Sequence, residues 1–177
     1  MDKKSLRAIK LKQREVFPKL LKEVYDQKIC KQLLKLVEES ECISTYISIK
    51  DEVDTRLFIN ELFNKKKCVC APVIDNQQMT MHQLTSLEAT KEVAMNLLEP
   101  TSMIECEPDI IIVPLIAFNL KGYRIGYGGG YYDRYLKDKA VLKIGIAYSW
   151  MLESFVEDDF DIPLDIIVTE TKSHNIT

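Results

Sequence analysis

The stretch DIIIVP at residues 109–114 constrains the fold most. Strands with one wet face alternate apolar and polar side chains. An unbroken apolar run of this length points to burial on both faces, as inside a parallel sheet. LKIGIAY (142–148) and DIIVTE (165–170) read as further strands of the same sheet. CISTYISI (42–49) and KCVCAPVI (67–74) carry the β-branched and aromatic residues of strands, and MTMHQL (79–84) reads as a short one.

Helical patterns separate these runs. Residues 1–22 place Leu6, Ile9, Gln13, Val16, Phe17 and Leu20 on one face, with Lys3, Arg7, Lys10 and Arg14 on the adjacent one. A second helix over 27–39 turns Ile29, Leu33, Leu36 and Val37 inward. RLFINELFNKK, capped by Asp54 or Thr55, turns in Leu57, Phe58, Leu62 and Phe63. YYDRYLKDK reads as a helix, whereas 86–98 mixes a weak helical pattern with surface character. Strands alternating with helices predict an α/β fold. It is a three-layer, Rossmann-like sandwich with a mostly parallel sheet and helices on both faces, formed as one domain over 1–177.

Charge and cysteine usage narrow the function classes. The net charge of −3 gives no reason to expect nucleic acid as the main partner, although residues 1–22 carry eight basic and two acidic side chains. The five cysteines show no C-x-x-C spacing and no histidine cluster, so neither a zinc site nor a disulfide framework is expected. A reducing, cytoplasmic setting fits. No apolar run has the roughly 18 residues of a membrane span, and no signal or transit segment is recognisable.

Five of the six glycines fall between Gly122 and Gly130, in GYRIGYGGGYYDRYL. The context is strand, turn, glycines, helix. Ligands bind beyond the carboxyl ends of parallel strands, and glycines let backbone N–H groups close on an anion. The segment fits neither G-x-G-x-x-G nor a Walker loop. A tight turn needs only one or two glycines, so a phosphate cradle is the stronger reading. Asp133 either places favourable charge in the first helical turn, pairing with Lys137, or holds Mg²⁺ against phosphates. Arg124 is a phosphate clamp or a solvated loop arginine. Tyr131 and Tyr135 divide between core packing and stacking on a ligand ring. His82, on the short strand at 79–84, reads as structural.

These residues resemble the 5-formyltetrahydrofolate cyclo-ligase family, also called 5,10-methenyltetrahydrofolate synthetases. PLIAFNLKGYRIGYGGGYYDRYL is similar to the family's long signature, and KKSLR (3–7), DEVDT (51–55), LLEP (97–100) and DIPLDIIVTE (161–170) resemble its other motifs in order. The resemblance implies a Mg²⁺- and ATP-dependent reaction. The formyl oxygen of 5-formyltetrahydrofolate is phosphorylated, a second nitrogen attacks the activated carbon, and 5,10-methenyltetrahydrofolate, ADP and phosphate result. It implies ATP contacts at Lys3, Lys4, Arg7, Arg124, Ile125, Gly126, Tyr127, Gly128, Gly129, Gly130, Tyr131 and Tyr132. Ile47 and Glu52 would line the folate site with Tyr127, Gly128, Gly129, Gly130 and Tyr131. Asp133 and Asp161 would hold Mg²⁺, with Asp165 the alternative to Asp161, and Arg124 and Asp133 would act in catalysis.

The expected partners are 5-formyltetrahydrofolate, with or without a polyglutamate tail, and ATP. No nucleic acid or membrane is expected, and the chain would be a monomer. Asn119 stands where the signature often has aspartate, and Tyr127 and Gly129 stand where some members carry basic residues. The competing readings are a non-catalytic or differently specific ATP- or pterin-binding member of the same fold, and an RNA-binding regulatory module using the basic first helix.

Overall fold

A computed structural model describes residues 1–176. The helices are α1 (Lys3–Glu15), α2 (Lys19–Leu36), α3 (Arg56–Asn64) and α4 (Tyr131–Leu136). The strands are β1 (Cys42–Thr45), β2 (Cys68–Asp75), β3 (Gln78–Gln83), β4 (Thr90–Glu92), β5 (Leu98–Pro100) and β6 (Ile110–Pro114). They continue with β7 (Ala117–Phe118), β8 (Arg124–Ile125), β9 (Leu142–Ile146), β10 (Ile166–Val168) and β11 (Ser173–Asn175).

Seven strands form one sheet in the order β11-β10-β9-β6-β1-β2-β3. The inner pairings are parallel, and β3 and β11 close the edges antiparallel. The DIIIVP run thus becomes β6 at the centre, with Ile110, Ile111, Ile112 and Val113 all buried. From β1 the chain crosses to β2 through α3, toward one edge. From β6 it crosses to β9 past α4, toward the other. Right-handed crossovers running in opposite directions put their helices on opposite faces. α2 packs beside α3, giving the three layers expected from the sequence. The direction reverses between β1 and β6, so the crevice beyond their carboxyl ends is the topological switch point where ligands bind in such sheets.

Several local expectations change. The apolar line of the first helix is not its buried face: Ile9, Val16 and Leu20 are exposed, whereas Leu6, Lys10 and Arg14 are buried. Leu6 docks α1 on Ala117, Ile125 and Phe155, around the β7–β8 hairpin, and this rolls the basic line inward. Pro18 separates α1 from α2, so the second helix starts near residue 19 rather than 27. Asp2 caps α1 by accepting from the Ser5 N–H at 2.7 Å, a bond that lowers the carboxyl's pKa. β1 ends at Thr45, four residues before the apolar pattern does, and the buried Tyr46 and Ile47 lie beyond it. The 86–98 region forms part of the β4–β5 hairpin. His82 is structural, its ring nitrogens 3.0 Å from Thr80 Oγ1 and 2.9 Å from the Ser102 carbonyl.

Candidate active site at the switch point

The sequence-predicted residues lie on segments that follow the carboxyl ends of three neighbouring strands, or on α1. Ile47 and Glu52 follow β1, the glycine loop follows β6 by way of the β7–β8 hairpin, and Asp161 follows β9. The hairpin turn is organised by buried Asn119, whose Oδ1 accepts from the N–H groups of Lys121 and Tyr123, both at 3.0 Å. Those bonds need an acceptor rather than a charge, so asparagine serves where the related signature often has aspartate.

Glu52 and the glycine loop meet directly. Tyr127 Oη donates to Glu52 Oε1 at 2.7 Å, while Glu52 Oε2 accepts from the Ile49 N–H at 2.8 Å. Arg14 Nη2 donates to the same Tyr127 Oη at 2.6 Å, with its guanidinium 5.8 Å from the ring centroid. Burial of the hydroxyl and the adjoining Glu52 charge push the Tyr127 pKa up to about 12, so at neutral pH it is a donor. Tyr127 as a residue is nonetheless 51 % exposed. Arg14 Nε is buried and has no hydrogen-bond partner among the described residues.

The sequence left the roles of Arg14 and Lys10 open. Lys10 Nζ donates to the Trp150 carbonyl at 2.7 Å and pairs with Glu153 at 2.7 Å. Their partners lie more than 100 residues away, beyond the reach of any local pattern. The available signal was their four-residue spacing from Leu6.

On the other side of the loop, Arg7 Nε donates to the Gly126 carbonyl at 2.6 Å. Gly128 has φ +101° and Gly130 φ +65°, backbone that side chains other than glycine's rarely adopt. A Cβ on Gly126 would meet no atom within 4 Å, so the backbone there faces open space. Tyr131 and Tyr132 pack partly buried against the core, with the Arg134 guanidinium 4.9 Å from the Tyr131 ring centroid. Lys4 is exposed on the first turn of α1, and Ile125 is buried in the hairpin. α4 has six residues, fewer than the nine read from the sequence, so its dipole adds little to anion attraction.

One backbone bond ties Asp133 to the segment that carries Asp161, whose own carboxylate accepts from Lys3 and from the Asp158 N–H. The Ile162 N–H donates to Asp133 Oδ1 at 3.1 Å, and Asp161 immediately precedes it. Arg124 is 7 % exposed and turned inward: Nη2 donates to Asp133 Oδ1 at 2.8 Å and Nη1 to the Ile162 carbonyl at 2.8 Å. Arg124 therefore braces Asp133 and the Ile162 segment with two of its five N–H donors. Asp133 pairs with Arg124 rather than Lys137. Lys3 Nζ lies between the carboxylates of Asp158 and Asp161. Burial works against its charge, but bonds from both aspartates outweigh this and raise its pKa. Asp165 instead accepts from the Lys143 N–H at 2.7 Å and pairs with its ammonium.

The chain as a whole is similar to known proteins. Residues 1–170 match the profile of the 5-formyltetrahydrofolate cyclo-ligase family. A Mycoplasma pneumoniae protein named 5-formyltetrahydrofolate cyclo-ligase is 35% identical over 178 residues, covering 96% of this chain and 99% of its own. The Escherichia coli K12 protein of that name is 31% identical over 142 residues, covering 73% and 78%. The NMR structure of Aquifex aeolicus 5,10-methenyltetrahydrofolate synthetase aligns with a TM-score of 0.89 at 32% identity, covering 99% of this chain and 93% of that one.

Proposed function

The chain belongs to the 5-formyltetrahydrofolate cyclo-ligase family, and from that membership we propose how its own residues carry out the ATP-dependent conversion of 5-formyltetrahydrofolate to 5,10-methenyltetrahydrofolate. The observation that carries the reading is the Tyr127–Glu52 bond. It ties the loop suited to phosphate to the carboxylate suited to a heterocycle, at the one crevice the topology favours.

The reaction needs positioning and charge stabilisation more than an activated nucleophile. A formyl amide is a poor electrophile, and phosphorylating its oxygen creates a leaving group. Holding ATP against that oxygen supplies the rate. Glu52 accepts from N–H groups of the pterin while its backbone and Tyr127 bonds fix its orientation. Tyr127 offers its ring as a stacking surface. Arg7 approaches the glycine loop from α1, and Lys3 stands ready to exchange its aspartates for phosphate oxygens. The open backbone at Gly126 admits the triphosphate closely.

The donor set fits Mg²⁺. Asp133 and Asp161 are oxygen ligands of the kind the ion prefers, on segments linked by the Ile162 bond to Asp133, and Lys3 already places one positive charge beside Asp161. When bound, the ion would neutralise charge on the phosphates during transfer. Arg124 keeps Asp133 oriented for that task.

The alternative of an RNA-binding first helix loses support because Lys10 and Arg14 are buried and Lys3 is paired. The test is turnover of 5-formyltetrahydrofolate with Mg²⁺ and ATP, followed by product absorbance. Folded protein with no ATP-dependent product would remove the proposal.

A further inference from the structure

Four of the five cysteines meet at the end of the sheet opposite the switch point. Cys42 and Cys68 are the first residues of β1 and β2 and stand directly across from each other in the parallel register. Cys70 lies two residues on in β2 and so shares a face with Cys68. Cys106 arrives from a segment running beside β3, fixed by its N–H donating to the Met81 carbonyl at 2.8 Å and by the His82–Glu105 bridge. The sulfurs of Cys42, Cys70 and Cys106 all lie within 4.8 Å of one another, and Cys42 Sγ is 2.9 Å from Cys68 Sγ. All four are free thiols. Cys30 belongs to α2.

A single buried cysteine needs no explanation beyond packing. Four from three separate segments are the ligand set of a closed tetrahedral thiolate site. Metal–sulfur bonds of about 2.3 Å put the corners of such a site about 3.8 Å apart. Three of the sulfurs already share a 4.8 Å neighbourhood, and Cys68, outside that trio but in contact with Cys42, would complete the set by side-chain rotation. Four soft sulfurs select zinc-class ions over Mg²⁺. The spacing 42, 68, 70, 106 lacks the usual zinc signature because strand register, not local sequence, assembles the group.

We infer that Cys42, Cys68, Cys70 and Cys106 bind one Zn²⁺-class ion. The ion ties β1 and β2 to the chain entering β6. With four protein ligands it has no open position, so it is structural and separate from the Mg²⁺ proposed at Asp133. Binding replaces four S–H bonds by four metal–sulfur bonds, and the four protons pass to solvent.

The test uses the reduced full chain, stripped of metal, given Zn²⁺ and then desalted. The expected result is one Zn²⁺ retained per chain and four cysteines protected from alkylation, with Co²⁺ giving the absorption of a tetrahedral thiolate complex. Cys70→Ser and Cys106→Ser should lose the retained ion, and Cys30→Ser should keep it. Wild-type thiol protection gives the answer even where a variant fails to fold. No retained ion in folded wild-type protein would overturn the inference. So would undiminished retention in the Cys70→Ser and Cys106→Ser variants. Protein isolated in air without reductant whose mass is lower by two hydrogens, with Cys42 linked to Cys68 and no ion retained, would replace the site by a disulfide.

Discussion

Tyr127 Oη donates to Glu52 Oε1 at 2.7 Å, and this bond joins two segments on either side of the point where the sheet reverses direction. Glu52 belongs to the chain leaving β1, and Tyr127 to the loop that follows β6. Their partner Arg14 comes from α1, which Leu6 docks on the hairpin beneath that loop. Three distant parts of the chain thus converge on one hydroxyl.

Tyr127→Phe removes the donor to Glu52 and the acceptor for Arg14 together. Hydrogen bonds to charged groups contribute about 1.5–3 kcal/mol each. The expected outcome is a loss of roughly 10- to 100-fold in kcat/KM for the folate, measured by steady-state kinetics. An unchanged folate kcat/KM would separate this bond from substrate recognition.

Asp133→Asn keeps an acceptor for Arg124 but removes the charge offered to a cation. Turnover should fall by about 100-fold or more, as for loss of a transition-state charge contact. The Mg²⁺ concentration for half-maximal activity should rise while the circular dichroism spectrum stays unchanged. Near wild-type turnover at ordinary Mg²⁺ would take the metal away from Asp133.

Gly126→Ala separates ligand approach from folding. The added Cβ meets no protein atom within 4 Å, so stability should stay within about 0.5 kcal/mol of wild type in urea unfolding. If the triphosphate lies against this backbone, the KM for ATP rises. An unchanged KM would move the phosphates elsewhere along the loop. Gly145→Ala is the control of opposite character. Its Cβ would collide with Leu164 and lie 2.9 Å from Leu115 in the core, costing about 1–3 kcal/mol of stability.

Asp26 sets a pH dependence of stability. It is buried between α2 and the loop before α3, where it accepts from Tyr148 Oη at 2.7 Å and pairs with Lys22. Burial raises its pKa, and the Lys22 and Tyr148 contacts offset this only in part. A carboxyl with a raised native pKa binds more protons folded than unfolded. Its contribution is full below the unfolded value of about 3.9 and is lost as pH rises through the native value. The stability of wild type relative to Asp26→Asn should therefore decline from about pH 4 upward. Urea unfolding at a series of pH values checks the sign, and a difference that grows with pH would contradict it.

The sheet was legible because its physics is local. Four adjacent apolar β-branched residues at 110–113 need burial on both faces, and only an inner strand provides it. The basic line of α1 was legible as a line but not as the buried side. Lys10 and Arg14 go inward because Glu153, the Trp150 carbonyl and Tyr127 receive them, and those partners are set by the tertiary fold. Arg124 was legible as a cation beside the glycines. That it braces Asp133 follows from the segment at Ile162 folding back over α4's first turn, which no spacing announces. The cysteines are the same lesson at the opposite end of the sheet: Cys42 and Cys68 become neighbours only once β1 and β2 pair.

The central claim is tested most directly by mixing folded protein with 5-formyltetrahydrofolate and Mg²⁺, with and without ATP, and following the near-UV absorbance of the product. The expected result is product formation that requires ATP and releases one ADP per 5,10-methenyltetrahydrofolate formed. Absence of product with ATP present, or equal product without it, would contradict the account.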